Sequence, residues 1–212
     1  MMEKYQHIYQ NVKNYFDGEG TGHGFDHIER VNRLAIEISK REESGNLKVI
    51  SYASLLHDVT DDKIRKEDSE NFLNQCLVES DLTNVEIRVV REIISSISYK
   101  GGNGPSLRSM EAMIVQDADR LDAMGAIGVA RAFTYGGSKG RPLFKEDERP
   151  REYMTLEEYR NGNTSTVLHF YEKLLLLKNK MNTETGKRMA EERHQFMEHF
   201  LNVFIREWKG EV

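Results

Sequence analysis

Apolar residues in this chain recur at intervals of three and four in one segment after another, and no stretch alternates for the length of a strand. That pattern admits an all-α fold and little else. Residues 3–17 place Ile8, Val12, Tyr15 and Phe16 on one helical face, and residues 25–39 do the same with Ile28, Val31, Leu34, Ala35 and Ile38. A third helix, 49–58, is apolar nearly all round and is expected at the centre. Further helices are predicted over 66–79, 84–97, 107–122, 127–135, 155–180 and 183–208, with Val85, Val89, Ile93, Ile94 and Ile97 inward in the second of these. Only 3 prolines interrupt 212 residues, so long helices cost little in propensity.

Glycine marks the breaks. GEGTGHG (18–24) carries four glycines in seven residues and disfavours a helix, and GGNGPS (101–106) is a loop. YGGSKGRPLFKEDERPREYM (135–154) is long, polar and rich in breakers, so it is predicted as an exposed loop or lid, 136–150 at its centre. No repeat or linker divides the chain. One domain over 1–212 is expected, with the motif-bearing core at 20–135 and the C-terminal helices, 155–208, packed on it.

The net charge of -5 argues against a nucleic-acid partner, which would need a broad basic face. It leaves room for a phosphorylated small molecule, since a metal and a few local cations can neutralise that ligand. The single cysteine, Cys76, rules out an internal disulfide and a cysteine-based zinc site, as expected of a reducing, cytoplasmic setting. The N-terminal MMEKYQHIYQ lacks the apolar core of a signal peptide, and no apolar run approaches the ~20 residues of a membrane span. Phe196, Met197, Phe200, Val203, Phe204 and Trp208 on the last helix suit either the core or a homodimer face.

Three strings carry ligand-type side chains. SYASLLHD ends an apolar helix on His57 and Asp58, a pair that caps a surface turn or, if buried, must be hydrogen-bonded or metal-bound. GHGFDHIER clusters His23, Asp26 and His27 at a glycine-softened helix start, where free N–H groups suit phosphate oxygens. VQDADRLDAMGA sets Asp117, Asp119 and Asp122 among small and apolar residues, unlike a solvated face. Periodicity does not choose which of the three turns inward.

A histidine on one helix, an adjacent His-Asp pair ending another and a distant aspartate on a third resemble the HD-domain superfamily of metal-dependent phosphohydrolases. The strings here are HIERV, LLHDVTDDK and QDADRLDAMGAIGVARAF; with YGG and the later HFYEKLLLLK they look like its bacterial YedJ/YpgQ-type branch, over about 20–208. The resemblance implies a helical domain around a central metal held by His27, His57, Asp58 and Asp119. It selects Asp119 because that residue matches the aspartate of the A-D-[RK]-L string of related hydrolases. Two imidazoles and two carboxylates suit one six-coordinate divalent ion, Mn²⁺ before Mg²⁺, Fe²⁺, Co²⁺, Ni²⁺ or Zn²⁺. An acid three positions after the HD aspartate positions or activates the attacking water in several HD nucleotide hydrolases; here it is Asp61. Arg30, Lys63 and His23 are the candidates for substrate phosphate, and Lys139 and Arg141 stand in the loop that could close over it. The implied activity is hydrolysis of a nucleotide or related phosphate ester, with nucleoside triphosphate pyrophosphohydrolysis favoured. The alternative is a non-catalytic nucleotide-binding module, which would need the ligands but not Asp61. Branches with several metals carry further histidines after the HD pair, and EIISSISYK has none, so one metal is expected.

Overall fold

LKVISYASLL buries seven of its ten side chains, and the rest of the N-terminal helices are arranged around that fact. The computed structural model describes residues 2–20, 22–61, 67–97, 107–151 and 164–211. Among these there are helices and turns and no strand, as the periodicity requires. The chain divides by internal packing into two compact units, Met1–Ala118 and Asp119–Val212, the division falling within one continuous helix, Met110–Asp122.

In the first unit, α1 (Met2–Tyr15), α2 (Phe25–Glu42), α3 (Leu47–Leu56), α4 (Ser69–Glu79), α5 (Asn84–Ile97) and most of α6 (Met110–Asp122) appear in order. Asn46 starts α3: its side-chain oxygen accepts from the backbone N–H of Lys48 (3.0 Å) and Val49 (3.3 Å). Val49, Ile50, Tyr52, Ala53, Leu55 and Leu56 are all buried, and α3 packs most extensively on α2, then on α5 and α1. Burying a leucine such as Leu55 stabilises the fold by about 1.5–3 kcal/mol. The α2 stripe Ile28, Val31, Ala35 and Ile38 meets it. Two expectations shift here. The α3 helix stops at Leu56, so His57 and Asp58 fall in the turn beyond it. On α5, Val85 is exposed and Val89 half-buried; Val90, Ile93, Ile94 and Ile97 face inward, because the buried stripe starts one turn later than the first valine.

The second unit holds the last turn of α6, then α7 (Gly125–Ser138), α8 (Thr166–Glu172), a 3₁₀ stretch (Leu174–Lys180) and α9 (Glu184–Trp208). Gly125 opens α7 at φ +68, a left-handed conformation suited to glycine, and a Cβ there would stand 3.0 Å from Arg193 Cγ. α7 runs past Tyr135 and takes in Gly136 and Gly137, so the loop begins at Lys139, not at residue 136. Arg151 closes that loop with a two-pronged ion pair to buried Glu172 (2.7 and 2.9 Å). The expected single helix over 155–180 is corrected: 155–163 lie outside the described residues, and Ser165 caps a helix that ends at Glu172. Lys173 breaks the helix at φ -140, and Leu174 and Leu177 then turn inward at three-residue spacing, which a 3₁₀ turn serves better than an α turn. On α9, Phe200 stacks on Phe170 (6.1 Å between centroids) and meets Phe133 edge-on (5.9 Å), Phe204 lies tilted against Phe133 (6.0 Å), and Phe196 and Trp208 stay exposed. No described helix is long and apolar enough to cross a membrane.

Candidate metal centre

Two buried imidazoles face each other where α2 begins and α3 ends. Gly24 caps α2, and a Cβ there would meet the Glu19 carbonyl at 2.7 Å, so only glycine lets the chain enter the helix this tightly. His27 follows one turn in, on the buried face with Ile28 and Val31. His57, one residue beyond α3, donates its Nδ1–H to the Ser54 carbonyl (2.8 Å). That bond fixes the tautomer, so in the neutral ring Nε2 carries a lone pair.

Nε2 of His57 lies 3.3 Å from Nε2 of His27. Asp58 straddles the pair: Oδ1 is 3.3 Å from the His57 Nε2 and Oδ2 is 3.3 Å from the His27 Nε2. Burial raises the Asp58 carboxyl, yet His57, His27 and His23 outweigh it and hold the group well below the usual carboxylate range. The site therefore presents an ionised carboxylate and two ring nitrogens to one small space. Without a proton or a cation among them, these lone pairs repel.

Asp119, on α6, completes the arrangement. One donor atom from each of His27, His57 and Asp119 lies within 4.8 Å of the others. Asp58 lies against both imidazoles but is outside that three-residue set. The donors, two neutral-capable imidazoles with carboxylates at hand, fit a divalent transition ion. The three aspartates left open by periodicity take different places. Asp119 joins the histidines, Asp117 is wholly buried, and Asp122 is buried and accepts from Arg131 Nη1 at 2.9 Å. Arg193 donates to the Leu121 carbonyl beside it; burial lowers its pKa and Asp122 opposes that shift.

The other predicted residues are placed as follows. The His23 ring lies 6.1 Å from that of His27, edge to face. Arg30 donates to Asp26 at 2.7 Å; burial raises the Asp26 carboxyl, but that bond and the Arg30 charge bring it below its ordinary value. Asp61 is half-buried in the turn after the HD pair, its backbone N–H donating to the Asp58 carbonyl (3.1 Å). Lys63 lies outside the described residues. Lys139 and Arg141 both stand 5.7 Å from the centre of the Tyr135 ring. Sequence reasoning did not single out Asn32 and Ser54, which tie α2 to α3 beside the histidines, nor Arg131 and Arg193, which hold the end of α6.

Residues 24–124 match the HD domain family. YpgQ of Bacillus subtilis (strain 168) is 35% identical over 205 residues, covering 94% of this chain and 91% of that one. A solved Lactobacillus plantarum structure superposes with a TM-score of 0.87 at 37% identity, covering 100% of this chain and 99% of the other. A structure described as an HD-superfamily hydrolase from Bacillus thuringiensis superposes at 0.75 and 38% identity, covering 99% of each chain. YpgQ has also been crystallised in complex with ADP; that structure superposes at 0.74 with 35% identity over 96% of this chain and 97% of the other.

Proposed function

We propose, from the premise that the chain belongs to the HD-domain family and is one of its metal-dependent phosphohydrolases, that its substrate is a nucleotide and that it cleaves a phosphoric anhydride bond of a nucleoside triphosphate. The observation that carries the assignment is the meeting of His27, His57 and Asp119 donor atoms within 4.8 Å, from α2, the turn after α3 and α6. The ADP bound by YpgQ supports the nucleotide class, because that protein and this one share 35% identity over nearly their whole lengths.

His27, His57, Asp58 and Asp119 would hold the ion, Mn²⁺ in first place. A divalent ion there supplies Lewis acidity, drawing charge from a phosphate oxygen and making a nearby water more acidic. The protein's own groups do the rest. The Ser54 carbonyl, by accepting from the His57 Nδ1–H, orients the ring and leaves Nε2 as the nitrogen offered to an ion. Asp58, ionised against both rings, brings to the site a negative charge that a cation would neutralise. Asp61 takes or orients the proton of the attacking water. Arg30 and His23 would meet the phosphate charge, Arg30 by exchanging its Asp26 partner for a phosphate oxygen, and the sequence assigns Lys63 the same role.

The test is a panel of nucleoside mono-, di- and triphosphates incubated with the Mn²⁺-loaded protein, with released phosphate and pyrophosphate measured separately. Turnover of triphosphates is expected, and Asp61→Asn should retain Mn²⁺ while losing about 10²-fold or more in rate. Stoichiometric Mn²⁺ with no turnover of any ester would instead identify a metal-dependent binding module. Near-parental rates in Asp61→Asn would remove that residue from the mechanism.

A further inference from the structure

Asn32 sits where an apolar residue belongs. On α2 it lies between Ile28 and Ala35 on the stripe that packs against α3, and it is buried with them. Its amide is fully engaged. Oδ1 accepts from the Tyr5 hydroxyl (3.2 Å), and Nδ2 donates to the Ser51 carbonyl (2.9 Å) and to Ser54 Oγ (2.8 Å). Ser54 Oγ in turn donates to the Ile50 carbonyl (2.7 Å). Ser54 is also the residue whose carbonyl receives the His57 Nδ1–H. One side chain thus joins α1, α2 and α3 about one turn before His57 and about 7.5 Å along α2 from His27.

A leucine in this position would avoid the cost of burying an amide and could be neutral or better for stability. What an apolar contact lacks is direction. Apolar faces tolerate small slides of one helix on another, whereas three hydrogen bonds to fixed backbone and hydroxyl positions admit one register. The two Nε2 atoms stand 3.3 Å apart, one on each side of this same helix pair, so a slide along it changes their separation directly.

We propose that Asn32 is a positioning residue for the metal centre: by clamping α2 to α3 through Ser51 and Ser54, it sets the spacing of the His27 and His57 Nε2 atoms and so the affinity for the ion. The proposal rests on the assignment of those histidines as metal ligands. Residues that orient ligands from outside the coordination sphere typically account for 10–100-fold in metal affinity.

The experiment is a Mn²⁺ titration, with free ion read by EPR, at a temperature well below the melting point of the metal-free protein, alongside metal-free melting curves. It compares the parent with Asn32→Leu and Ser54→Ala. Ser54→Ala removes only the hydroxyl that receives Nδ2 and leaves the carbonyl that receives His57. Both variants should bind Mn²⁺ about tenfold or more weakly while fully folded at the titration temperature. A role confined to stability would lower the melting point and leave the affinity in place. Affinities within about twofold of the parent overturn the proposal, whatever the melting points. If Asn32→Leu does not fold, Ser54→Ala decides by the same criterion. A parent that takes up no Mn²⁺ overturns the ligand assignment itself, a failure distinct from unchanged affinity in the variants.

Discussion

Asp119 and Asp122 are one helical turn apart on α6, and exchanging each for asparagine should separate two kinds of loss. Asp122 is 2% exposed at its side chain and pairs at 2.9 Å with Arg131, itself 16% exposed. Removing the carboxylate leaves a largely buried guanidinium with a weaker partner. Breaking buried pairs costs about 3–5 kcal/mol, and the partial exposure of Arg131 favours the lower end. At about 2.1 cal/mol/K per residue, unfolding entropy for 212 residues is about 0.45 kcal/mol/K, so ~3 kcal/mol lowers Tm by about 7 °C. Asp119 is half-exposed, and Asp119→Asn should move the metal-free Tm by no more than about 2 °C. The order reverses on adding metal. Mn²⁺ at about 100 times its Kd adds ~2.7 kcal/mol, or about 6 °C, to the parent and to Asp122→Asn. It should add nothing to Asp119→Asn at the same concentration. Calorimetric melts with EDTA and with Mn²⁺ read all six values. An Asp119→Asn protein that keeps the Mn²⁺-induced rise, or an Asp122→Asn protein that loses it, refutes the division of labour between the two aspartates.

The helices were legible because their apolar spacing is the cause of their packing: the 28, 31, 35, 38 stripe needs a partner, and the apolar 47–56 segment needs to be surrounded. His27, His57 and Asp119 were legible through the strings around them rather than through periodicity, which could not tell Asp119 from Asp117 or Asp122. That choice depends on where Arg131 and Arg193 lie, at sequence separations of nine residues and more, and no local pattern reports them. The stop at Glu172 was missed because LHFYEKLLLLK is a good helix by propensity. The break at Lys173 comes from the demand that Leu174 and Leu177 both turn inward. Gly136 and Gly137 misled in the opposite direction, since glycine usually ends a helix; here a side chain at 136 would collide with Thr166. Asn32 carried a signal that went unused. A polar residue at a core position of an amphipathic helix is a group that must find partners, and here its partners are next to the histidines.

Two further tests probe the packing around the site. An ideal Cβ on Gly136 would stand 2.1 Å from Thr166 Oγ1, so Gly136→Ala should cost about 2–3 kcal/mol in a thermal melt. Adding Thr166→Ala should recover part of it, with a coupling of about 1 kcal/mol or more; additive losses would show that the two do not meet. Cys76 is buried on α4, and its burial, with the Glu79 charge adding to it, pushes the thiol up to about 12. A folded pKa above the unfolded one stabilises the fold fully below about 9 and loses that contribution as pH rises toward about 12. Stability measured by denaturant melts should therefore fall over that alkaline range in the parent, and less steeply in Cys76→Ala. At pH 8 only about one thiol in ten thousand is ionised, so a disulfide reagent should leave the native protein untouched and modify Cys76 on unfolding. Fast modification of the native protein would mean that α4 opens around Cys76 far more readily than its packing on α1 implies, because reagent can reach that sulfur only if the helix moves.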